Sequence, residues 1–167
     1  FYLCCDIQEA FPLATAHYNR HLLLIDDAHL LVIDDVLCRP AFRNYTRVYF
    51  QTRLPAEKTD TGWRIPGDNA TLNVHLLSDS GFHRTDAWTH SRNRGEAINR
   101  FSWRDAYDRD HSVHVALLTF GDPDIDCTID ASGVRLALDG ARYTFGYKNE
   151  ALVFDAGASD EPQPEGD

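Results

Sequence analysis

Methionine is absent from all 167 residues, and no apolar run approaches the roughly 18 residues a membrane-spanning helix needs. No basic-then-apolar leader opens the chain either. Its first residues, Phe1-Tyr2-Leu3-Cys4-Cys5, read as the interior of a strand, so the N-terminus is expected to be a cut one. Basic residues are few, 16 against 26 acidic ones, and the net charge is −10 at pH 7. Such a field repels nucleic acid, anionic membranes and anionic polysaccharides alike. Any polyanion site must then be a local basic patch, or belong to another part of a larger protein. Cysteine is limited to Cys4, Cys5, Cys38 and Cys127, with no Cys-x-x-Cys pair, which removes zinc-ribbon and thioredoxin-like motifs. Cys4 and Cys5 would point to opposite faces of a strand. Buried free thiols are expected, with a Cys38–Cys127 bridge as the alternative. A Gly-x-Ser-x-Gly elbow and a Gly-rich phosphate loop are also missing, so serine-hydrolase and nucleotide-binding chemistry lose their usual signatures.

What the chain does have is alternation. Hydrophobic residues make up 43% of it, enough for a globular core, and they recur with period 2 rather than 3.6. Val48, Phe50 and Leu54 face away from Arg47, Tyr49, Gln51 and Arg53. Ala70, Leu72, Val74 and Leu76 alternate with Thr71, Asn73 and His75, and Phe101 and Trp103 oppose Arg100, Ser102 and Arg104. Each such segment predicts a half-buried strand. Leu22–Ile25 and Leu30–Ile33 are apolar on both sides and enclose Asp26-Asp27-Ala28-His29. They predict a hairpin of central strands closed by a four-residue loop. His111–Phe120 is a further central strand, ended by Asp122-Pro123. Asp139-Gly140 predicts a two-residue type I′ turn that pairs Leu138 with Ala141, Leu136 with Tyr143 and Val134 with Phe145. A meander follows, ending near Phe154. The one helical turn expected is Asp6–Phe11, stopped by Pro12. About ten to twelve strands of this kind make an antiparallel, all-β sandwich of two packed sheets. It is expected to fill residues 1–156, with residues 157–167 an acidic disordered tail.

Eight histidines invite a metal. His17 and His21 would share a strand face roughly 13 Å apart, whereas zinc holds each nitrogen at about 2.0–2.1 Å. His111 and His114 would face opposite sides, His29 would sit in a turn and His75 on an exposed face. Asp26-Asp27 and Asp34-Asp35 are placed in or beside turns, and adjacent strand carboxylates diverge, which argues against a glycosidase pair. No metal ligand, no cofactor and no catalytic residue is therefore assigned. The segment from His83 to Arg94 differs. His83, Arg84, Trp88, His90, Arg92 and Arg94 bring cationic, aromatic and imidazole groups into one loop, locally positive in an acidic chain. These six are the candidate carbohydrate contacts, with Trp88 stacking on a sugar face and the arginines meeting carboxylate or sulfate. The alternative is that Trp88 anchors the loop on the core.

The stretch His17-Tyr18-Asn19-Arg20-His21-Leu22-Leu23-Leu24-Ile25-Asp26-Asp27-Ala28-His29-Leu30-Leu31-Val32-Ile33-Asp34-Asp35-Val36 resembles the C-terminal β-region of heparinase II/III-like polysaccharide lyases. It has the same arginine-led apolar strand, short polar turn and second apolar strand ending in aspartate. The strands Val48–Leu54, Ala70–Leu77 and His111–Phe120, with Trp88 to Ser91 between the last two, keep that family's order. The resemblance implies a two-part enzyme, an upstream α/α toroid packed against a β-sandwich, that cleaves uronic-acid-containing polysaccharides by β-elimination. It also implies a periplasmic or secreted location. The family's catalytic Asn, His and Tyr and its metal ligands lie in the toroid and the first sandwich strands, which carry a His-x-His-type stretch and an Ala-His-Asn motif. Neither occurs here, so no catalytic or metal residue is carried over. The expected role is a scaffold, inactive alone, whose partners are the toroid of the same parent protein and a polysaccharide. The alternative is a carbohydrate-binding sandwich using Trp63, Trp88 or Trp103 as a platform. Neither nucleic acid nor membrane is an expected partner.

Overall fold

The computed structural model describes residues 1–42, 46–78, 82–89, 97–104 and 110–155, with residues 42, 82–89, 97, 103 and 104 described through their backbone. In chain order its strands are β1 (Tyr2–Asp6), β2 (Thr15–Ile25), β3 (His29–Cys38), β4 (Arg47–Thr52), β5 (Glu57–Lys58), β6 (Gly62–Pro66) and β7 (Thr71–Leu76). Then come β8 (Phe82–Thr89), β9 (Ala97–Arg104), β10 (His111–Phe120), β11 (Ile125–Asp130), β12 (Gly133–Leu138), β13 (Ala141–Lys148) and β14 (Ala151–Asp155). All pairings are antiparallel. The all-β expectation holds, with fourteen strands among the described residues. The additions include the short edge strand β5, which no alternation could announce. Helical structure among the described residues is limited to 3-10 turns at Gln8–Ala10, inside the expected segment, and at Pro40–Phe42. No helix there is long and apolar enough to cross a membrane.

Contacts divide the chain into two compact units, Phe1–Asp122 and a second beginning at Pro123. The first holds a seven-stranded sheet, ordered β1-β2-β3-β10-β7-β6-β5, and a three-stranded sheet, β4-β9-β8. Val48 and Phe101 from the smaller sheet pack with Trp63, Ile65, Val74 and Ala116 from the larger, which makes this unit a sandwich. Trp63 is 1% exposed and stacks on Phe101 with ring centroids 4.7 Å apart. Such aromatic pairs contribute about 0.5–1.5 kcal/mol beyond their buried area. Trp63 is therefore a core residue and cannot serve as the sugar platform suggested for it.

β2, β3 and β10 are inner strands, as expected: β2 lies between β1 and β3, β3 between β2 and β10, and β10 between β3 and β7, but β2 buries only one face, since Leu24 is 38% exposed. Leu31, Ile33, Val115 and Leu117 are fully buried. The β2–β3 loop is one residue shorter than expected. Ile25 pairs with His29, so the loop is Asp26-Asp27-Ala28, with both aspartates at positive φ (52° and 55°). Aspartate tolerates that conformation better than most side chains.

The second unit is a four-stranded meander, β11-β12-β13-β14. Leu138 pairs with Ala141, Leu136 with Tyr143 and Val134 with Phe145, the expected register. Asp139 and Gly140 turn it with φ of 48° and 85°. Asn149 and Glu150 (φ 52° and 65°) repeat the device between β13 and β14. Asp130 accepts hydrogen bonds from the Ser132 hydroxyl and amide and from Arg135, which push its carboxyl down to about 2. None of the four cysteines is in a disulfide, but Cys4 is exposed and the others half-buried, since β1 and β11 are edge strands and Cys38 ends β3. The segment 157–167 lies outside the described residues.

Candidate functional site

The predicted contact loop begins as a strand. Phe82–Thr89 pairs along its whole length with β9 and forms one edge of the three-stranded sheet. Its threonines, Phe82 and Trp88 have the β-propensity for that role. His83, Arg84 and Trp88 stand in this register opposite Trp103, Ser102 and Ile98. His90, Arg92 and Arg94 lie outside the described residues. On the neighbouring strands, Tyr49 is 44% exposed and two guanidinium groups approach its ring, Arg100 at 5.1 Å and Arg47 at 5.8 Å from the centroid. Arg47 also donates to the Tyr49 hydroxyl at 3.3 Å. Arg47, Tyr49 and Arg100, none of them among the six predicted contacts, thus form a cationic and aromatic group on β4 and β9.

A second assembly lies on the seven-stranded sheet. Asp34 and Asp35, expected beside a turn, are interior to β3, and both are essentially buried. Successive residues of a strand point to opposite faces, so the two carboxylates are satisfied separately. Arg20, directly opposite on β2, donates Nε and Nη2 to Asp34 at 2.7 and 2.8 Å. This fork-to-carboxylate geometry is the strongest form of ion pair. Nearby, burial and then the charge of Asp34 push the Tyr18 phenol up to about 12. Asp35, on the other face, takes His17 Nε2 at 2.8 Å and His111 Nε2 at 2.5 Å, one from each neighbouring strand. The imidazoles are partly exposed, at 19% and 34%, while the carboxylate is not exposed at all. On the same face His21 is buried, bonded through Nδ1 to the Tyr2 hydroxyl at 2.9 Å, and burial lowers its pKa. His114 meets Thr46 at 2.5 Å and His75 meets Thr119 at 3.0 Å, so His75 is half-buried rather than on an exposed face.

Two imidazoles and a carboxylate are donor types that zinc takes. In His17, Asp35 and His111 those atoms are spent on one another. Among the described residues no group of three or more His, Cys, Asp or Glu is arranged to hold a metal ion. Spacing along single strands missed this assembly because its members come from three strands. The signal was the hairpin itself, which brings His17 and Asp35 side by side once its register is known.

The described residues thus define an antiparallel β-sandwich and a β-meander, the sandwich carrying a His–Asp–His group around the buried Asp35 carboxylate. Among solved structures the chain is similar to the heparan sulfate lyase HepC from Pedobacter heparinus, in a mutant form, with a TM-score of 0.64 at 14% identity. The match covers 92% of this chain and 26% of that lyase, so the chain spans about a quarter of its length. At that identity the likeness is one of fold. No protein-family model matches the chain, and no curated protein matches it.

Proposed function

We propose that this chain is the β-sandwich scaffold of a polysaccharide lyase that cleaves uronic-acid-containing chains by β-elimination. The catalytic α/α toroid lies elsewhere in the same polypeptide, and the whole is exported to the periplasm or the medium. The observation that carries this reading is the extent of the fold likeness: nearly all of this chain against one quarter of a heparan sulfate lyase. β-Elimination needs a neutraliser for the uronate carboxylate, a base for the proton beside it and an acid for the leaving oxygen. The described imidazoles mostly have other work. His17 and His111 are held by Asp35, His21 by Tyr2, His75 by Thr119 and His114 by Thr46. The reading therefore gives this part of the enzyme a supporting role, and assigns it no cofactor. The test is the ultraviolet absorbance of the new C4–C5 double bond, with heparan sulfate, heparin and alginate as substrates. The full-length protein is expected to turn over at least one of them and the 167-residue chain none. Turnover by the chain alone, or silence of the full-length protein on all three, refutes the reading.

A second reading is a carbohydrate-binding module without catalysis. The exposed Tyr49 ring, approached by the Arg47 and Arg100 guanidinium groups, favours it. Retention of the isolated chain on an immobilised polysaccharide, in the absence of lyase activity from the full-length protein, would select it.

A further inference from the structure

The end of β10 carries a feature that the scaffold role does not use. Phe120 is the last residue of the strand and is 57% exposed, next to Gly121 at φ 108°. Beside it lies a depression of about 440 Å³ whose rim includes Arg64, Asn73 and Asp122. These groups are held in place from beneath. Asn73 Nδ2 donates to the Gly121 carbonyl at 2.9 Å and to Asp122 Oδ1 at 3.2 Å. The fully buried Thr119 hydroxyl donates to the same carbonyl at 3.0 Å and meets His75 Nε2 at 3.0 Å. The turn after β10 is thereby tied to β7, and Asp122 and Phe120 are presented on a supported surface rather than a loose one. Arg64 is exposed and forms no ion pair among the described residues.

We propose that this depression binds one unit of a neutral pyranose chain. A sugar ring has an apolar face of C–H groups and a rim of vicinal hydroxyls. An exposed aromatic ring covers the first at small entropic cost, because it has only two side-chain torsions to fix. The second needs donors and acceptors side by side. The Arg64 guanidinium donates, the Asp122 carboxylate accepts, and the Asn73 amide oxygen accepts while its nitrogen is engaged in the turn. One cationic and one anionic group on the rim, in a chain of net charge −10, favour a neutral sugar over a uronate or a sulfated one. The site is independent of the lyase reading. It would hold a neutral polysaccharide, or a neutral stretch of a mixed one.

The experiment is calorimetric or NMR titration of the 167-residue chain with cello-, xylo-, manno- and laminarihexaose, and with an oligogalacturonate of similar length. At least one neutral hexasaccharide is expected to bind, with a Kd of about 0.1–1 mM for so few contacts. Phe120→Ala and Arg64→Ala should each weaken that binding at least tenfold, and Phe120→Trp should restore it. Phe11→Ala, which removes another exposed ring in the same unit (51% exposed), should leave it unchanged. Thermal midpoints of all four variants identify any loss caused by unfolding, and Arg64→Ala, at an exposed side chain, is the variant least exposed to that complication. Absence of binding by every neutral sugar, preference for the oligogalacturonate, or equal effects of Phe120→Ala and Phe11→Ala would overturn the proposal. None of these outcomes bears on the double-bond assay, so the two ideas fail separately.

Discussion

Arg20 and Asp34 face each other directly across the β2–β3 hairpin and are joined by two parallel hydrogen bonds of 2.7 and 2.8 Å. Asp34 is 1% exposed and Arg20 35%, so the pair sits where the sheet meets solvent. A buried carboxylate stripped of its partner keeps its desolvation cost and loses its compensation. Arg20→Ala is expected to destabilise the protein by about 2–4 kcal/mol. The double variant Arg20→Met, Asp34→Leu should recover most of that loss. Denaturant midpoints of the three proteins measure it, and a double variant no better than the single one would assign the loss to packing instead of charge.

Two glycines of the meander separate backbone conformation from space. At Gly133 (φ 135°) a Cβ would lie 1.9 Å from the Phe145 carbonyl oxygen, whereas at Gly140 (φ 85°) nothing lies within 4 Å. Gly140→Val should cost about 1 kcal/mol or more from positive φ alone. Gly133→Ala, though the smaller side chain, should cost more, because β12 and β13 must separate to admit it. The reverse order in urea denaturation would show that the β12–β13 pairing is looser than its register.

Burial is the leading cause that lowers the pKa of both His21 and His75. The unfolded chain therefore binds protons at these rings at a higher pH than the folded one. Stability contributed by their neutral forms is full above the unfolded value of about 6.5 and declines as pH falls below it. Asp130, pushed down to about 2, acts only well below that window. Between about pH 7.5 and 5.5 the stability of His21→Gln should therefore fall less than that of the parent. Equal slopes for the two proteins would mean that His21 takes up its proton in the fold as readily as in the unfolded chain.

Local chemistry determined much of this protein. Alternating apolar residues marked the strands, and Asp139-Gly140 set the β12–β13 register because two adjacent positive-φ residues admit only one hairpin. The two-sided apolarity of Leu22–Ile25 and Leu30–Ile33, and the apolar face of Val113, Val115 and Leu117, marked β2, β3 and β10 as inner strands of a sheet. Tertiary structure decided the rest. A loop of three residues rather than four between β2 and β3 shifts the register by one, and a one-residue shift exchanges every side chain between faces. That shift puts Arg20 opposite Asp34 and frees Asp35 for His17. His111 is 76 residues from Asp35 and reaches it because β10 pairs with β3 on the side away from β2. Strand order is a property of the whole sheet, set by which edges find partners. No window of sequence contains it, and the His17–Asp35–His111 group and the shelf around Phe120 became visible only with the fold.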